Sequence, residues 1–172
     1  MAEAALTPDR VDLLGTLQQH RFLLRNTARE LTDEQAAQRS TVSELCIGGL
    51  IKHVAATERS WTDFVLGGPA AMANPADPAT YEQHAKSFQM LPGDTLAGVL
   101  ATYDEIAKCT DDLVRTLPDL DASHPLPEAP WFEPGIRWSA RRVLLHIIAE
   151  TSQHAGHADI IREAIDGAKS MG

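Results

Sequence analysis

The chain has 172 residues, 44% of them hydrophobic and 23% charged, with a formal net charge of -9 at pH 7. That length suits a single domain spanning 1–172 around one core, and the composition excludes wholesale disorder. The charge argues against a nucleic-acid backbone or an anionic membrane surface as partner, because either would need clustered Lys and Arg.

Met1 to Asp9 has neither a basic start nor an apolar run, so no signal peptide is expected. No apolar stretch approaches the ~20 residues that cross a bilayer, and the expected location is cytoplasmic. In a reducing compartment Cys46 and Cys109 are expected as free thiols, both buried as small residues.

The first predicted helix opens at Thr7-Pro8-Asp9, with Thr7 as cap and Pro8 in the first helical position. Leu13, Leu17, Leu24, Ala28 and Leu31 recur at helical spacing and give one apolar face, ending near Thr32. Thr32-Asp33-Glu34-Gln35 has capping-box spacing and predicts a short further turn. The second helix runs from about Ile47 to Leu66 and stops at Gly67-Gly68-Pro69. Pro69 to Thr80 reads as a loop, and Tyr81 to Met90 as a short helix. A third long helix is expected between Asp94, its cap, and Pro118. Pro118, Pro125, Pro127, Pro130 and Pro134 then exclude a regular helix. The fourth runs from the cap Ser139 to Asp166-Gly167. No alternation of period two stands out. The pattern predicts an all-α protein, a four-helix bundle with long crossover connections.

At about 100° per residue, helical geometry shows which polar side chains point inward. On the second helix Leu50, Val54, Trp61 and Val65 define the apolar stripe. His53 falls on its margin beside Phe64, and Glu58 lies roughly 80° off it. On the fourth helix Val143, Ile147, Ile161 and Ile165 define the core face. His154 projects into the middle of that face, and Glu150 lies roughly 40° away on its flank. A buried unpaired carboxylate is costly, and a divalent cation removes the cost, since imidazole and carboxylate are its normal ligands. Mutual hydrogen bonding of Glu150 and His154 is the plainer alternative, and His157, three residues from His154, could replace Glu150 as ligand. His146 lies further round the same flank. His20, His84 and His124 carry no spacing signal and are expected at the surface.

Two runs resemble the DinB superfamily: Gly48-Gly49-Leu50-Ile51-Lys52-His53-Val54-Ala55 on the second helix, and Leu145 to Ile160 on the fourth. The second run is similar to the actinobacterial branch of mycothiol-dependent enzymes. The resemblance implies a four-helix bundle, often a homodimer, with a metal triad here assigned to His53, Glu150 and His154. Many members of the superfamily end the triad in HxxxH. This chain has ExxxH, the pattern of mycothiol-dependent maleylpyruvate isomerase, but the additional C-terminal domain of that enzyme is not expected here. The short form more closely resembles mycothiol S-transferases. The implied function is therefore conjugation of mycothiol, or a similar low-molecular-weight thiol, to a small electrophile. The implied ion is divalent, zinc first, with nickel, iron and manganese compatible. His157 would face the substrate or support a ligand. Trp61, Trp131, Phe132 and Trp138 would form an apolar wall for the electrophile. Metal-dependent hydrolysis, or a non-catalytic role as a metal-binding stress protein, would use the same ligands.

Overall fold

A computed structural model describes residues 6–75 and 77–170. Among these residues there are six helices: α1 (Pro8–Asn26), α2 (Asp33–Ala37), α3 (Ile47–Gly67), α4 (Pro78–Ser87), α5 (Leu96–Thr116) and α6 (Ala140–Asp166). The long helices α1, α3, α5 and α6 close a four-helix bundle. In it α1 packs on α6 and α5, and α3 packs on α5 and α6. The short helices α2 and α4 both lie against α3. No described helix is long and apolar enough to cross a membrane.

The expected apolar stripes meet inside the bundle in two clusters. One centres on Leu24, Leu50, Ile51, Tyr103 and Ile161, the other on Leu17, Trp61, Phe64, Val143 and Ile147. Burying each of these large aliphatic or aromatic side chains stabilises the fold by about 1.5–3 kcal/mol. The site described below lies on α3 and α6, between Leu50 and Trp61 on one helix and Ile147 and Ile161 on the other.

Several boundaries differ from expectation for local reasons. The first helix stops at Asn26 and not near Thr32. The Thr27 hydroxyl donates to the Leu24 carbonyl at 2.7 Å, Glu30 takes φ 60°, and the buried Arg162 guanidinium donates to the carbonyls of Thr27 and Arg29. Thr7 occupies the cap position, but its hydroxyl donates to Asp9 and caps no amide. Thr32 and Gln35 do form the reciprocal capping box. Helix α4 begins earlier than expected because Asp77 accepts the Ala79 N–H and Pro78 fills the first position. The cap of α5 is Thr95, which accepts from the Gly98 N–H. Asp94 instead accepts from the Leu91 N–H and from Lys52 Nζ at 2.6 Å. The proline-rich crossover carries a small antiparallel ribbon, β1 (Ser123–Pro125) with β2 (Arg137–Ser139), too short to show alternation. Cys46 is buried at the start of α3, whereas Cys109 on α5 is exposed, contrary to expectation.

One glycine positions the site. A Cβ on Gly49 would stand 2.0 Å from the Phe88 carbonyl oxygen. Its absence lets the chain leaving α4 lie directly on the first turns of α3, which carries Ser87 and Phe88 to His53.

Candidate metal centre

His53 is buried, 5% exposed, on the second turn of α3. The Phe88 ring stacks on its imidazole with centroids 3.8 Å apart. Ser87 Oγ–H donates to the His84 carbonyl at 2.6 Å, so its lone pair is left to accept the His53 Nδ1–H at 3.0 Å. The proton is thereby held on Nδ1, and Nε2 keeps its lone pair. Thr57 Oγ1 lies 3.4 Å from that Nε2.

Glu150 and His154 stand one turn apart on α6, with Glu150 Oε2 3.6 Å from His154 Nε2. His154 Nδ1 is 3.4 Å from His157 Nδ1, so the nitrogen of His154 that faces Glu150 is Nε2. The His53 and His154 rings meet edge-on at 5.0 Å. One donor atom each from His53, Glu150 and His154 falls within 4.8 Å of the others, a group that could hold a metal ion.

The electrostatics suit that use. Burial, reinforced by the His154 and His84 imidazoles, holds His53 down to about 4, so it is neutral at neutral pH. Glu150 is held below the usual carboxylate range, first by its hydrogen bond with His154 and against the opposing effect of burial. Neutral imidazole and ionised carboxylate are the forms that bind a cation. A cleft of about 400 Å³ between α3, α4 and α6 opens onto His53 and Glu150.

The remaining histidines distribute unevenly. His146 Nε2 lies 3.9 Å from Glu150 Oε1, and its ring meets Trp61 and Trp138 edge-on. Burial lowers its pKa. His84, expected as a plain surface residue, lines the cleft with its ring 5.2 Å from His53. Sequence reasoning missed it because the contact joins two helices. The available signal was the grouping of His84, Ser87 and Phe88 at i, i+3 and i+4 on one face of α4. His124 packs against Phe64, and His20 lies on α1, both outside the cluster.

Of the four expected wall aromatics, only Trp61 lines the cleft. Trp138 is stacked on Trp61 at 4.9 Å and has the Arg142 guanidinium 5.0 Å from its ring centre. Phe132 packs edge-on against Trp138, and Trp131 is 56% exposed, in ring contact with Tyr81 and Phe132. The crossover thus sets Trp138 against Trp61 and His146, and Trp131 against Tyr81 of α4.

Residues 12–167, which include all three clustered side chains, match the family model described as mycothiol-S-transferase. The chain belongs to the mycothiol-S-transferase family. A crystal structure of a conserved protein from Enterococcus faecalis has the same fold, with a TM-score of 0.63 at 15% identity. That alignment covers 95% of this chain and 100% of the other. No curated protein matches. Within a mycothiol-S-transferase-like bundle, α3 supplies one clustered histidine and α6 supplies the Glu150–His154 pair.

Proposed function

We propose that this protein is a metal-dependent thiol transferase that conjugates mycothiol, or a similar low-molecular-weight thiol, to small electrophiles. In this reading His53, Glu150 and His154 hold one divalent ion, zinc first, with nickel, iron or manganese compatible with the same donors. The observation that carries it is the three-donor cluster at the edge of an open cleft, in a chain of the mycothiol-S-transferase family. A bound divalent ion would supply Lewis acidity, lowering the pKa of a thiol placed in a coordination position that the three residues leave open.

The protein's own groups do the positioning. Ser87 lies against Nδ1 of His53 and His157 against Nδ1 of His154, while one nitrogen of each of the two rings lies within 4.8 Å of the other and of a Glu150 oxygen. Phe88 covers one face of His53 and shields it from water. Among the described residues lining the cleft, Glu150 is the only carboxylate, so a carboxylate general base for hydrolysis is missing. A cytoplasmic location and a homodimer belong to the same reading.

Elemental analysis of protein purified without a histidine tag, paired with a thiol-conjugation assay, tests it. The expected result is one divalent ion per chain and conjugation that is lost on chelation and restored by metal. His154→Ala should lose both the ion and the activity. Activity that survives chelation, or full metal occupancy in His154→Ala, would sink the reading.

A further inference from the structure

A second cavity, of about 430 Å³, lies between α3 and α5 and shares only Ala56 with the lining of the metal cleft. Lys52, Ala55, Ala56 and Arg59 line it from α3 at i, i+3, i+4 and i+7, so they share one face of that helix. Ala55, Val99 and Ile106 are buried and form an apolar floor. Where Ala55, Ala56 and Gly98 stand, side chains no larger than a methyl leave the space open.

The two cations of this lining are in different states. Lys52 Nζ is 2.6 Å from Asp94 Oδ2 and 3.4 Å from the Gln89 carbonyl, so its charge is answered within the fold. Arg59 is exposed, and its guanidinium has no ion pair and no hydrogen bond among the described residues. Two cations and one carboxylate leave the lining one positive charge in excess, in a chain of net charge -9. A cationic ligand is disfavoured there, and a second acidic group would meet Asp94. Thr95 Oγ1 already accepts the Gly98 N–H, so a ligand rich in hydroxyls would lie unpaired over the apolar floor. One acidic group on an apolar body satisfies both features, because the planar guanidinium fork pairs with an oxyanion. From Lys52 to Arg59 α3 rises about 10 Å, which sets the length of that body. The net charge keeps the chain off an anionic membrane, so the ligand is a free molecule.

We infer that the cavity between α3 and α5 is a second binding site, for a small amphipathic monoanion whose acidic group pairs with Arg59 and whose apolar body covers Ala55, Val99 and Ile106. The inference stands apart from the thiol-transferase reading, since it needs neither a metal ion nor a thiol. Its occupant touches α3 at Ala55 and Ala56, within one turn of His53.

Calorimetry on the metal-loaded protein tests this with three probes of equal chain length: octanesulfonate, octanol and octylammonium. The sulfonate is chosen because it is a poor ligand for a divalent ion and so does not report on the metal centre. It should bind with a Kd below about 1 mM, octanol about 10-fold more weakly, and octylammonium not at all. Arg59→Gln should weaken the sulfonate about 10-fold and leave octanol unchanged. Thr102→Phe fills the cavity from its exposed rim and should weaken both, and it stands in if Arg59→Gln fails to fold. Amide shifts in a nuclear magnetic resonance titration with the sulfonate should centre on Gly93 and Gly98, which line the cavity. No sulfonate binding at about 1 mM, equal affinity for sulfonate and ammonium, or unchanged sulfonate affinity in either variant would overturn the inference. So would shifts centred on His53 and His154.

Discussion

Arg21 on α1 grips Glu58 on α3 through Nε and Nη2, and Asp111 on α5 through Nη1 at 2.7 Å. Across the same bundle, Glu150 on α6 is surrounded by the imidazoles of His146 and His154 and faces His53. Both clusters place carboxylates between bundle helices, Glu58 fully buried and Glu150 partly exposed, yet only the first contains its own permanent cation. Arg21 is 5% exposed and Glu58 fully buried, so this fork is closed to ligands and its charges are answered internally. The histidine cluster has no guanidinium or ammonium among its donors and opens onto a cleft. A buried charge matched within the fold serves the fold, whereas a partly exposed carboxylate beside imidazoles at an open cleft is available for chemistry.

The sharpest way to break this contrast is Glu58→Ala. It leaves the Arg21 guanidinium buried with only the partly exposed Asp111, and should cost about 3–5 kcal/mol. Urea denaturation reads the loss, and metal content per folded chain should stay at the wild-type value. Arg21→Met combined with Glu58→Leu should recover most of the stability, because an apolar pair removes both charges together. A loss below about 1 kcal/mol for Glu58→Ala would show that water reaches the fork and that the two clusters are less different than drawn.

The second test acts from the histidine side. Ser87→Ala removes the acceptor that holds the proton on His53 Nδ1. Metal affinity, measured by competition with a chelator, should fall about 10–100-fold while the metal-free protein keeps its stability. Rescue by Ser87→Thr, which restores a hydroxyl, would separate this orienting role from a packing effect. Unchanged affinity would mean that His53 presents Nε2 without help from α4.

The two clusters were unequally legible in the sequence. Glu150 and His154 share one helix, so their spacing and direction follow from helical periodicity alone. His53 sits at the margin of its stripe, and its place with them needed the resemblance. His84, Ser87 and Phe88 left only their i, i+3, i+4 grouping as a signal, because they reach the site through contact between α4 and α3 that depends on the missing Cβ of Gly49. Glu58 read as a poor general base because it lies off the stripe, and that position hid its complete burial. α3 is covered by both α5 and α6, so its buried arc is wider than the Leu50–Val65 line. Arg21 gave no signal, since a lone arginine on an amphipathic helix reads as solvated. The bundle was legible throughout its long helices, and the ribbon within the crossover was too short to leave a pattern.

Tyr103 on α5 offers the finest test, because it extends the closed cluster by a group that the cluster does not satisfy. The side chain is 1% exposed, and its hydroxyl has no hydrogen-bond partner among the described residues. Burial, then the charge of Glu58, pushes the phenol well above its ordinary pKa, so it stays neutral. The nearby Thr151 hydroxyl is already donated to the Ile147 carbonyl at 2.8 Å. Tyr103→Phe keeps the ring packed between α3 and α5 and deletes only the unpaired oxygen. Stability should hold or rise, by at most about 1 kcal/mol, in the same urea experiment. A loss of more than about 1 kcal/mol would mean that the hydroxyl is hydrogen-bonded in solution and belongs to the Arg21–Glu58 network, which would then reach further toward α6 than the side-chain contacts place it.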